Sequence, residues 1–162
     1  MKYVVLTGRF LYSLIFLLTI VHHFSPGAIS IVASAGVPAA NYLVPISGIL
    51  AVLGAFSIMV GYKAKIGAWL IVIFLVPVTF IMHPFWREAD LFQAEMQLAM
   101  FAKNISLLGA ALIICYFGAG PMSFDEEKRF RIVKPKARRI GRAQTISQME
   151  SDFIRERLKK YT

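Results

Sequence analysis

Cysteine is nearly absent from this chain: Cys115 is the only one in 162 residues. A single thiol leaves no CxxC pair and no route to an intrachain disulfide, which excludes a stand-alone thiol oxidoreductase of the membrane. The sequence also has no CxxCH haem-attachment motif, no glycine-rich phosphate loop and no nucleophile elbow. Acidic residues are missing from the basic segment RFRIVKPKARRIGR, from Arg129 to Arg142. Alternation of apolar and polar residues is missing from the hydrophobic runs, which are continuous, so helices are expected rather than strands. Apolar residues are abundant: 57% of the chain is hydrophobic, with a mean hydropathy of +0.63. A soluble domain of this size has no interior large enough to hide that surface, so the chain is read as a membrane protein.

Runs long enough to cross a hydrocarbon core of about 30 Å lie near residues 3–22, 43–61, 66–82 and 97–117. The expected fold is all-α, an integral membrane four-helix bundle over 1–125 followed by a basic cytoplasmic tail over 126–162. A cleaved signal peptide is the rival reading of the first run, since Lys2 precedes it and Ala33-Ser34-Ala35 resembles a cleavage site. Arg9 interrupts the apolar region and that site lies too far beyond it. Four crossings put both termini on one side together with Lys2, Arg9, Lys63, Lys65 and the twelve basic residues after Phe117, while the opposite loops hold only Arg87. The positive-inside rule then makes both termini cytoplasmic.

The net charge of +9 is concentrated in the tail, directly after a membrane helix. Anionic lipid heads explain it better than nucleic acid does. Ser147-Gln148-Met149-Glu150 has the form of a capping box, and Ile146, Met149, Phe153, Ile154, Leu158 and Tyr161 recur at helical spacing. An amphipathic helix is therefore expected near 147–161, lying on the inner leaflet or docking a cytoplasmic partner. Within the bundle, Ser47, Ala51 and Ala55, and likewise Ala102, Ser106 and Ala110, form small-residue stripes expected to pack. Pro77 is expected to bend the third helix.

The densest chemistry is the stretch HPFWREADLFQAEMQLAMFAKN, from His83 to Asn104, at the outer membrane edge. Polar and charged groups at membrane depth are expensive and are either held by partners or used for binding. Gln97, Phe101 and Asn104 share one helical face, with Lys103 about 100° to the side. Lys103 sits about 9 Å below the outer end by helical rise. Three readings stand for it: an ion pair with Glu88, Asp90 or Glu95, ligand binding, or snorkelling outward. His22, His23 and His83 all end helices at the outer edge; a metal or axial haem site would need them to converge with further ligands, and polar capping is the preferred reading, so no metal is assigned. Arg9 and His23 lie fourteen residues apart, so they share a face at opposite membrane edges. Arg9 is read as a cytoplasmic-side anchor or as an intersubunit pair in a homo-oligomer.

Gly8-Arg9, Gly36-Val37-Pro38, Gly54, Gly61, His83-Pro84-Phe85-Trp86 and Gln97 followed by Phe101-Ala102-Lys103-Asn104 and Gly109 together resemble the DoxX family, from about Gly8 to Asp125. The resemblance implies a small four-helix protein of the bacterial inner membrane with an accessory role in redox or sulfur metabolism. The chain departs from that pattern at Ala51, where many relatives carry glutamate, and near His23, a position often held by lysine. Two functions are expected from different classes. In the first, a redox-complex accessory subunit binds a quinone between Trp86 and Phe101, with His83, Gln97, Lys103 and Asn104 donating to its carbonyls and Arg9, His23 and Glu95 in support. No intrinsic cofactor is expected, so electron transfer would require a redox protein partner. In the second, the same cluster belongs to a non-enzymatic binding, assembly or transport protein embedded in membrane lipids.

Overall fold

The computed structural model describes residues 2–126, 148–157 and 159, and every regular element among them is helical. The elements are α1 (Lys2–Leu18), α2 (Ile20–His23), α3 (Pro26–Ser34), α4 (Ala40–Val60), α5 (Ala64–Met82), a 3-10 turn (Phe85–Arg87) and α6 (Leu91–Phe117). The chain divides into one unit of Met1–Asp125 and a second of Glu126–Thr162.

Three stretches are long and apolar enough to cross a membrane: Ala40–Val60, Ala64–Arg87 and Leu91–Phe117. The first apolar stretch is shorter and is built from two pieces. The sequence predicts one helix over 3–22, but the Thr19 hydroxyl donates back to the Ile15 and Phe16 carbonyls, the side-chain bonding by which threonine bends helices, and α1 gives way to α2 there. The pair runs antiparallel to α4, because Arg9 packs against Gly61 and His23 against Gly48.

Helices α4 and α5 meet backbone to backbone. A Cβ on Gly54 would lie 2.7 Å from the Gly67 carbonyl oxygen, and one on Gly67 would lie 2.8 Å from that of Gly54. Small residues permit such an approach where lipid provides no hydrophobic drive between helices. Ala51 and Ala55 are buried beside this contact, as their spacing predicts. The second stripe behaves differently: Ala102 and Ser106 are exposed, and Gly109 has open space around it. Helix α6 turns Asn104 and Ala111 inward instead. Pro77 is accommodated within an unbroken α5. In the outer loop, Ser25 caps α3 by accepting from the Ala28 amide, and α3 packs on α1's continuation and on α4.

At the end marked by Arg9, side chains from afar close the helix termini. Lys63, the residue before α5, is left-handed (φ 50°) and offers no side-chain cap. Asp125 supplies it: its two carboxylate oxygens accept from the amides of Lys63 (2.8 Å) and Ala64 (2.9 Å), and its own amide donates to the Gly61 carbonyl (3.0 Å). Lys65 Nζ donates to the Tyr116 carbonyl at the end of α6 (2.7 Å), where a cation suits the helix dipole. Arg9, 4% exposed, donates from Nη2 to the Met122 carbonyl (2.7 Å). Arg9 is therefore an anchor within its own chain at this end.

In the second unit, a helix covers 148–157, with Met149, Phe153 and Ile154 exposed and the Arg157 guanidinium over the Phe153 ring. The basic segment 129–142, Ser147 and Tyr161 lie outside the described residues.

Candidate functional site

Helix α5 ends at Met82 because Pro84 cannot continue it and disfavours helical geometry in the residue before. Phe85–Arg87 form one tight turn, and Asp90 restarts the chain as α6 by accepting from the Gln93 amide (2.9 Å). The helix begins at Leu91, six residues earlier than hydropathy predicts. The reversal is consequently short, and it lays the end of α5 against the second turn of α6. There His83 Nδ1 lies 2.8 Å from Gln97 Oε1, both side chains half-buried. In the tautomer that donates from Nδ1 to this amide oxygen, Nε2 is left as an acceptor and the Gln97 NH2 as a double donor.

Four aromatic rings surround the turn. Phe101 is the hub, in edge-to-face contact with Phe80 (5.5 Å), Phe85 (5.4 Å) and Trp86 (5.9 Å), and Phe85 also packs on Trp86 (5.1 Å). Trp86 keeps 53% of its surface exposed. One turn below Phe101 on the same face of α6, Asn104 is only 6% exposed, and its amide has no hydrogen-bond partner among the described residues. Its amide atoms are not fully buried, so Asn104 can still meet a polar group at this place.

The structure thus gathers His83, Trp86, Gln97 and Phe101, with Asn104 beneath them. It places the others elsewhere. Lys103 is exposed, turned roughly 100° from this face, and its ammonium reaches back to Met100 Sδ (3.3 Å) toward the His83 end. It forms no ion pair with Glu88, Asp90 or Glu95 among the described residues. Glu95 is exposed on α6, two residues and hence about 200° from Gln97. His23 is held between Gly48 and the Phe74 ring (5.6 Å), with Nδ1 3.1 Å from the Thr19 carbonyl. Phe74 lies nine residues, about 13 Å, down α5 from His83, so the two imidazoles serve different places. Arg9 is at the far end of the bundle. No group of three metal-ligating side chains occurs among the described residues.

Sequence reasoning missed Phe80 and Phe85 as parts of the site. Phe85 stands inside the HPFW motif, and Phe80 precedes His83 by one helical turn, so the density of aromatics on both sides of the histidine was the available signal.

A family model described as the SURF4 family matches residues 1–130. No curated protein and no solved structure matches the chain. The match replaces the DoxX resemblance: HPFW and FxKN are short motifs, whereas the family model covers every helix from α1 to α6, and what stands of the resemblance is a family of integral membrane proteins.

Proposed function

The chain belongs to the SURF4 family, a family of integral membrane proteins, and from that premise we propose that it is a non-enzymatic binding protein for a flat, carbonyl-bearing ring of the quinone class. The observation that carries this reading is the His83–Gln97 hydrogen bond on the same turn and helix as the aromatic cluster. A quinone carbonyl accepts from the Gln97 NH2, a hydroquinone hydroxyl donates to His83 Nε2, and the ring packs on the exposed Trp86. Asn104 offers a second polar contact for a substituent that passes Phe101. The redox-accessory role rested on the DoxX resemblance and would need a partner protein bringing its own cofactor; the binding role needs none.

We further propose that the protein lies in the bacterial inner membrane with both termini cytoplasmic, an orientation in which the His83 site is at the outer edge. Support comes from the basic residues Arg9, Lys63 and Lys65 at one end of the bundle and the acids Glu88, Asp90 and Glu95 at the other. The tail serves the inner leaflet or a cytoplasmic partner through its exposed Met149, Phe153 and Ile154.

The test is mass spectrometry of organic extracts from protein purified in mild detergent, comparing wild type, Gln97→Leu and Lys103→Ala. A quinone enriched with wild type and Lys103→Ala, and reduced about ten-fold in Gln97→Leu by loss of one hydrogen bond, supports the reading. Bulk phospholipid alone in all three extracts, or ligand loss in Lys103→Ala only, overturns it.

A further inference from the structure

At the end opposite His83, the hairpin of α4 and α5 encloses an open groove of about 400 Å³. Its walls are apolar, formed by Leu53 and Phe56 of α4, Ile66 and Leu70 of α5 and Phe124 from the segment after α6. Phe124 is held there because its neighbour Asp125 is tied to the amides of Lys63 and Ala64. Lys63 stands at the mouth.

Three observations identify the occupant. The groove's reach along α4, from Leu53 to Val60, is about 10 Å by helical rise, and it begins at a helix end. That fits within one leaflet's half of a hydrocarbon core about 30 Å thick. Leu53, Phe56, Ile66 and Phe124 are each more than half exposed, so the groove opens sideways along its length, as an acyl chain requires. The charge at the mouth is unspent: the Lys63 ammonium lies over the Tyr62 ring, 5.8 Å from its centroid, and has no carboxylate partner among the described residues. Asp125, the nearby acid, is occupied by the two backbone amides, and by capping them it keeps an anion off the α5 N-terminus. A headgroup phosphate must therefore be met by the Lys63 side chain.

We infer that this groove is a binding site for an anionic phospholipid of the leaflet at the Lys63 end, one acyl chain lying against Leu53, Phe56, Ile66 and Leu70 and the phosphate paired with Lys63. The site is remote from His83 and Gln97 and stands independently of what they bind.

The experiment uses the full chain in phosphatidylcholine nanodiscs containing a small fraction of either phosphatidylglycerol or phosphatidylcholine with a photoactivatable diazirine on one acyl chain. Labelled peptides are located by mass spectrometry. Wild type should be labelled within residues 53–70, about five-fold more by the anionic probe, the preference one basic residue confers for an anionic surface. Lys63→Asn removes the charge while tolerating the left-handed backbone at this position. It should bring the two probes level, and Lys63→Arg should restore the preference. Ile66→Trp, which fills the groove from its exposed rim, should reduce labelling by both. A circular-dichroism melt of each variant checks that the fold is retained. Equal labelling by the two probes in wild type, preference that survives Lys63→Asn, or labelling confined to other segments overturns the inference. So does exclusion of both probes from residues 53–70, the result expected if a second copy of the chain fills the groove.

Discussion

Asp125 closes one end of the bundle with a single carboxylate. The first amides of α5 have no capping side chain nearby, and the acid that satisfies them comes from 62 residues further along the chain. Loss of an N-cap typically costs about 0.5–2 kcal/mol. Asp125→Ala should lower the midpoint of unfolding in an SDS titration by the upper part of that range, because two donors lose their partner, and Asp125→Asn, which keeps one acceptor oxygen, by about half as much. Midpoints equal to wild type would show the cap contributes nothing. Asn104 predicts the opposite sign. Its amide makes no hydrogen bond among the described residues, so Asn104→Val, nearer to it in volume than leucine, should hold or raise the melting temperature of ligand-free protein while removing a polar contact from the site. A melting temperature several degrees below wild type would show that Asn104 braces the helices. The register of Gln97, Phe101 and Asn104 was legible in the sequence, since helical spacing alone puts them on one face. Asp125 was not, because local capping patterns extend three residues and this one spans 62.

The crossing of α4 and α5 depends on two glycines rather than on side-chain interdigitation. Any Cβ at Gly67 would meet the Ser57 side chain at 2.6 Å and the Gly54 carbonyl at 2.8 Å, and the carbonyl cannot move without opening the helix. Gly67→Leu should therefore destabilise by at least the 1–3 kcal/mol typical of overpacking, read as loss of monodisperse protein in detergent. Gly109→Leu, on the open side of α6 with nothing within 4 Å, should leave the elution profile unchanged. If both variants behave alike, the crossing is not held by close approach. The two small-residue stripes had equal standing in the sequence, and only one packs. Four-residue spacing says that a face is narrow, not that a neighbour is present, and α6 spends its inward face on Asn104 and Ala111. Helix boundaries failed for a related reason. The polar first turns of α6, from Leu91, read as loop by hydropathy, although the Asp90 cap makes them helix. The break at Thr19 arises from a hydroxyl bonding to its own helix, which apolar periodicity does not register.

For the molecule as a whole, the single cysteine makes topology directly measurable. In a Cys115→Ser background, Arg87→Cys should react with a membrane-impermeant maleimide on intact cells, whereas Lys63→Cys should react only after lysis, as the positive-inside rule requires. The reverse pattern would turn the bundle over and move the His83 site to the cytoplasmic face. The limit of the membrane unit is a separate question with its own test. The family match runs over residues 1–130 and the first compact unit closes at Asp125, yet the last apolar span ends at Phe117. Hydropathy alone would cut the chain at Gly118. The segment from Gly118 to Asp125 carries the carbonyl that receives Arg9, the carboxylate that caps α5 and the ring that walls the groove. Arg9 is 4% exposed, and a charged donor deprived of its acceptor there costs about 1–3 kcal/mol, to which the lost cap adds a similar amount. A chain ending at residue 130 should then purify with the melting temperature of the full protein. One ending at residue 118 should aggregate or melt at least ten degrees lower, although both retain every apolar span. Equal stability of the two truncations would mean that four greasy helices hold the fold unaided; the difference expected is the contribution of eight residues that hydropathy assigns to a tail.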